Sequence, residues 1–125
     1  MLIDSDILIW LTRGNANANQ RLSQLTPWRI STITYLELAQ GCRNKQELER
    51  AKQGLAAMQT IILPVTPTIS ERAMQLIDNY SLSHGLQLAD ALIASTAIEH
   101  KHTLLTGNVK HFSAIPELTI ERFEP

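Results

Sequence analysis

One segment restricts the choice of fold more than any other. Leu88-Ala89-Asp90-Ala91-Leu92-Ile93-Ala94 opens a run at helical spacing that stays apolar on nearly every side as far as His100. A helix apolar all round is normally enclosed, so the rest of the chain must supply layers that cover it. The same segment carries Asp90, and an enclosed aspartate is rare unless it is paired or bound to a cation. Two structural readings compete with a functional one. Asp90 caps a helix that starts there, or it pairs with an arginine. No arginine or lysine lies within a turn or two of it in sequence, so a partner must come from another element.

The remaining chain alternates short apolar stretches with helical ones. Leu2-Ile3 reads as a strand that exits sharply into a helix at Asp4-Ser5-Asp6, three helix-start residues, with an end near Gly14. Asn15–Asn19 reads as a turn entering a helix and Arg21–Leu25 as a short helix stopped by Pro27. Trp28–Ile33 alternates as a strand, and Thr34 is expected to cap a helix running to Cys42. Gln46–Met58 reads as a helix with Leu48, Leu55 and Met58 on one face, and Thr60–Val65 as a buried strand. A helix follows Pro67 and Ser70 to Tyr80, and Gly85 separates it from the apolar helix. Thr103–Thr106 is expected to be a strand closed by the Gly107-Asn108 turn, and Leu118–Phe123 a last strand.

This alternation specifies an α/β fold with a mainly parallel sheet and helices on both faces. Such sheets bind ligands outside the carboxyl ends of their strands, where strand order reverses. Asp4 closes the first strand and Asn108 follows the fourth, so both fall at that end.

Length and charge bound the rest. The chain of 125 residues fits one domain, 1–125, and its 44% hydrophobic and 18% charged content supports a core rather than disorder. A formal net charge of −1 excludes a generally basic nucleic-acid binder, so any contact with nucleic acid must rest on local features. Cys42 is the one cysteine, which excludes an internal disulfide and suits a reducing compartment. The start lacks the basic and apolar segments of a signal peptide, and no stretch reaches transmembrane length. The expectation is a soluble, cytoplasmic protein without membrane association.

Glu37 joins Asp4 and Asp90 as a candidate. Taken alone it reads as a glutamate near a helix N-terminus, at capping-box spacing from Thr34. Asn108 taken alone is a turn residue. Taken together these side chains offer only oxygen donors, which suit Mg²⁺ or Mn²⁺ better than Zn²⁺. His84, His100, His102 and His111 show no zinc-ligand spacing, and no glycine-rich phosphate loop is present.

Four motifs in order carry a resemblance. Leu2-Ile3-Asp4-Ser5-Asp6-Ile7-Leu8-Ile9 resembles the opening signature of PIN-domain nucleases. Ser31-Thr32-Ile33-Thr34-Tyr35-Leu36-Glu37-Leu38, followed by Gly41, resembles their second acidic motif. Leu86-Gln87-Leu88-Ala89-Asp90-Ala91-Leu92-Ile93-Ala94 resembles the third, and Leu104-Leu105-Thr106-Gly107-Asn108-Val109-Lys110-His111-Phe112 the fourth. The length is similar to that of VapC-type toxins.

The resemblance implies a three-layer α/β/α fold on a mainly parallel five-stranded sheet. It implies a metal-dependent endoribonuclease in which Asp4, Glu37 and Asp90 are the catalytic, metal-binding acids for Mg²⁺ or Mn²⁺. Ser5 stands for the usual threonine, Asp6 for a common asparagine and adds a further ligand, and Asn108 for a fourth acid, which favours contact through water. Ser5 and Thr106 are expected to orient carboxylates or water. Arg13, Arg43, Lys45, Lys110 and His111 are candidate RNA contacts; His111 stands where many members have aspartate. An RNA substrate, an antitoxin that blocks the pocket, for which an arginine would be suited, and a homodimer are implied as partners. The competing readings are a catalytically inactive PIN-shaped RNA-binding module and a receiver-type signalling domain. The latter needs a phosphoacceptor aspartate that Ile61-Ile62-Leu63-Pro64-Val65-Thr66 does not contain.

Overall fold

The computed structural model describes residues Met1–Pro125. Strand β1 (Leu2–Ile3) leads into α1 (Ser5–Thr12), and α2 (Ala16–Ser23) follows. Strand β2 (Arg29–Ser31) enters α3 (Thr32–Gly41), α4 (Lys45–Ala57) and β3 (Ile61–Leu63). Then come α5 (Pro67–His84), α6 (Leu88–Glu99), β4 (Leu104–Thr106), α7 (Val109–Phe112) and β5 (Ile120–Arg122).

All strand pairs are parallel, as the alternation predicts, but the five strands form two ladders rather than one. One has the order β1-β4-β5 and the other is β2-β3. β2 lies beside β1 without joining its ladder, so the chain moves outward from β1 in one direction and returns through β4 and β5 in the other. The reversal falls between β1 and β4.

Period-two alternation along these strands builds two cores. Leu2 and Leu104 face α5, α6 and α7, packing with Leu76, Ile93 and Phe112. Ile3 and Leu105 face the other way, towards α1 and α2, packing with Ile7, Leu22, Trp28 and Ile30. Each such side chain removed from water contributes about 1.5–3 kcal/mol before entropy is counted. The sheet is thus held between helical layers, with β1 and β4 at its centre.

Several local expectations change. Asn15 caps α2 by accepting the Ala18 N–H at 2.9 Å, so the helix that this stretch enters begins at Ala16, ahead of the expected Arg21. Ser31, not Thr34, caps α3: its Oγ accepts the Thr34 N–H at 3.0 Å. β3 is an edge strand, with Ile61 and Ile62 exposed rather than buried, because it pairs only with β2. The helix α5 runs past Tyr80 to His84, where Gly85 takes a left-handed φ of 70° that ends it. A short helix, α7, follows the Gly107-Asn108 turn. No helix is long and apolar enough to cross a membrane.

Candidate active site

Asp4 leaves β1 at the reversal point in extended conformation and caps α1; its Oδ1 accepts the Ser5 N–H at 2.8 Å. The other oxygen, Oδ2, accepts the hydroxyl of Thr106, the last residue of β4, at 2.7 Å. Thr106 is itself fixed, because its Oγ1 accepts the Asn108 N–H at 3.0 Å. Two strand ends therefore hold one carboxylate that is only 4% exposed. Burial pushes the Asp4 carboxyl up to about 6, against the Thr106 bond, and the neighbouring charges of Asp6 and Glu37 push the same way.

Asp6 lies one position beyond Ser5. Its Oδ2 accepts the Gly107 N–H at 2.8 Å, while its Oδ1 is buried without a hydrogen-bond partner. Burial raises its pKa too, and the Gly107 bond opposes that rise. Glu37, in the second turn of α3, is exposed but tied to the same group: the Ser5 hydroxyl donates to its Oε1 at 3.1 Å.

Asp90 departs from its expected enclosure. It lies in the first turn of α6 with a side chain 16% exposed, and Leu88 beside it is 73% exposed. The enclosed part of α6 starts at Ala91, since the first turn projects beyond the sheet and its helical cover. The Gln87 N–H approaches Asp90 Oδ2 at 3.4 Å, so the capping reading also holds. The partner from elsewhere is His111 of α7, whose Nδ1 lies 3.6 Å from Asp90 Oδ2. The charge of His111 is also felt at Asp6.

These bonds and charge contacts link Asp4, Ser5, Asp6, Glu37, Asp90, Thr106 and His111, with Asn108 joined through its backbone N–H. The basic candidates are placed differently. Arg13 lies over the Trp10 ring at 5.6 Å and Arg43 is bound to Glu47 at 2.8 Å. Lys45 opens α4, and Lys110 is exposed next to His111. None of the four bonds to any of the acids.

Gly107 is a member of the site that its sequence context marks only as a turn. A Cβ there would stand 2.7 Å from Asp6 Oδ2, so any larger residue would have to push the Asp6 carboxylate aside. The Thr-Gly-Asn step directly after a strand is the signal that marks it.

Carboxylates brought together without a lysine or arginine among them leave repulsion that a cation relieves. The unpartnered Asp6 oxygen is one free donor for it. No three histidine, cysteine or acidic side chains stand together closely enough to hold a metal ion by themselves, but Mg²⁺ binds through one or two carboxylates and keeps several waters. The donor set therefore fits a hydrated divalent ion.

Comparison with known proteins identifies the fold and the family. The sequence profile of the PIN domain matches residues 1–118. Ribonuclease VapC10 of Mycobacterium tuberculosis is 34% identical over 122 residues, spanning 94% of this chain and 90% of that protein. A toxin–antitoxin complex from Klebsiella pneumoniae contains a chain of similar structure, with TM-score 0.82 and 31% identity over 99% of this chain and 98% of that one. VapBC2 from Rickettsia felis, bound to a DNA fragment from its promoter, gives TM-score 0.80 and 25% identity, with 98% of each chain covered. On fold and sequence together, the chain belongs to the PIN-domain family.

Proposed function

We propose that the chain is a divalent-metal-dependent endoribonuclease and the toxin of a toxin–antitoxin pair. The observation that carries the reading is the buried Asp4 carboxylate, fixed by Ser5 and Thr106 at the strand reversal with Asp6 and Glu37 beside it. The VapC relatives named as ribonucleases, and the similar chain of the Klebsiella toxin–antitoxin complex, support the substrate class and the partner.

In this reading Asp4, Glu37 and Asp90 hold Mg²⁺ or Mn²⁺, with Asp6 as a further ligand and Asn108 in contact through water. The ion, when bound, supplies charge neutralisation at the phosphoryl oxygens and acidifies a water molecule. The protein supplies position. Ser5 and Thr106 fix the acids before substrate arrives, so little reorganisation remains at the moment of reaction. Lys110 borders the pocket beside His111 and contacts the RNA backbone, and Arg13, Arg43 and Lys45 add phosphate contacts farther out. An antitoxin blocks the acid pocket with a cationic side chain, and the toxin acts as a homodimer in the cytoplasm.

The test is incubation of antitoxin-free protein with fractionated cellular RNA in Mg²⁺, Mn²⁺ or chelator, beside Asp90→Asn. Cuts that need metal and disappear in the variant are expected. Intact RNA in every lane from folded protein contradicts the nuclease reading. Tight RNA binding without cleavage in any metal would transfer the function to an inactive binding module.

A further inference from the structure

We propose that His111 contributes a nitrogen donor to the acid pocket and biases it towards imidazole-accepting transition ions, Mn²⁺ among them, over Mg²⁺. The inference rests on the reading of the pocket as a divalent-ion site and adds a determinant of its ion preference.

The geometry places His111 beside one of the acids: its Nδ1 stands 3.6 Å from Asp90 Oδ2. Asp6 has one oxygen bound to the Gly107 N–H and one buried oxygen bound to nothing. Asp6 thus brings a free donor atom to the pocket. A separation of 3.6 Å is longer than a hydrogen bond, so Asp90 draws the ring towards the pocket without saturating it.

The ring also stands on a firm base. The His111 N–H donates to the Asn108 carbonyl at 3.0 Å. The next residue, Phe112, is buried in the core at 1% exposure. That anchorage leaves the His111 side chain, 54% exposed, at the mouth of the site rather than inside the core. A neutral imidazole protonated on Nε2 keeps a lone pair on Nδ1, the nitrogen that faces Asp90 Oδ2.

The chemistry then separates the ions. Mg²⁺ is hard, binds oxygen and gives up its waters reluctantly, so an imidazole adds little to its affinity. First-row transition ions accept imidazole nitrogen alongside carboxylate oxygen, with affinity rising from Mn²⁺ onwards. An aspartate at position 111 would serve both classes; a histidine favours the second.

The experiment uses the full chain, free of antitoxin, with Mn²⁺ and Mg²⁺ as the probes. Calorimetry compares both ions on the parent, His111→Ala and His111→Gln, with circular dichroism to establish folding. Pulsed electron paramagnetic resonance on the Mn²⁺-loaded proteins reads nitrogen coupling to the ion. The expected result is a ¹⁴N coupling in the parent that both variants lose. Mn²⁺ affinity should fall by on the order of tenfold in the variants while Mg²⁺ affinity holds. Mn²⁺ bound without nitrogen coupling, coupling that survives in the variants, or equal loss for both ions overturns the role of His111 and leaves the pocket standing. Failure of the folded parent to bind either ion removes the pocket reading and the inference with it.

Discussion

Asp4 is a carboxylate held where ionisation is costly. Its ordinary pKa of 3.8 rises to about 6 in the fold, chiefly through burial. Between those values the folded chain keeps a proton that the unfolded chain releases, so metal-free stability falls as pH rises through the window. One pKa unit is worth about 1.4 kcal/mol, which makes the ionised carboxylate cost the metal-free fold about 3 kcal/mol at neutral pH. Asp6, also raised, adds to the same slope. Asp4→Asn keeps an acceptor for the Ser5 N–H and can donate to Thr106 Oγ1. Metal-free Asp4→Asn should therefore melt higher than the parent at pH 7, with a flatter pH profile below it. Thermal unfolding in chelator across this range checks both; a lower melting temperature for the variant at pH 7 would count against a strained, buried charge. At Gly107 the prediction is steric. Gly107→Ala puts a methyl group 2.7 Å from Asp6 Oδ2, and relieving that overlap should cost about 1–3 kcal/mol and displace Asp6. Chemical denaturation combined with Mn²⁺ titration reads the two effects separately.

At the scale of elements, each acid owes its position to a helix start. Ser31 is fully buried, caps α3 through Thr34, and so fixes the helix that carries Glu37. Ser31→Ala should lose about 1–2 kcal/mol in denaturant unfolding, and an unchanged midpoint would show that packing alone sets α3. The elements that sequence reveals are those with one dominant signal. β1 ends at a run of cap residues, α6 is a long apolar run, and β4 is closed by Gly107-Asn108. The elements that it conceals carry competing signals. Asn15 to Asn19 has turn composition, yet Asn15 caps a helix whose Ala18 and Leu22 reach the core. Thr60 to Val65 has the composition of a buried strand, yet an edge position leaves Ile61 and Ile62 in solvent. α7 has four residues, too few for any periodicity, and with it the neighbourhood of His111 and Asp90 went unseen.

Across the whole molecule, the fold separates packing from chemistry. Leu2 and Leu104 feed one core, Ile3 and Leu105 the other. The chain then turns polar at Asp4 and Thr106, where β1 and β4 end together. Asp4, Glu37 and Asp90 stand out as candidates in the sequence because four motifs occur in order. Their coupling through Ser5, Thr106 and Gly107 is a property of the strand reversal, which no local pattern encodes. A net charge of −1 conceals this concentration of negative charge at one end of the sheet.

Whether these acids form one divalent-ion site is read by anomalous diffraction from crystals soaked in Mn²⁺. An anomalous peak is expected within coordination reach of Asp4, with Glu37 and Asp90 bordering it, absent from Asp4→Asn crystals. Peaks confined to surface acids, with the Asp4 pocket empty at saturating Mn²⁺, would contradict the single-site reading.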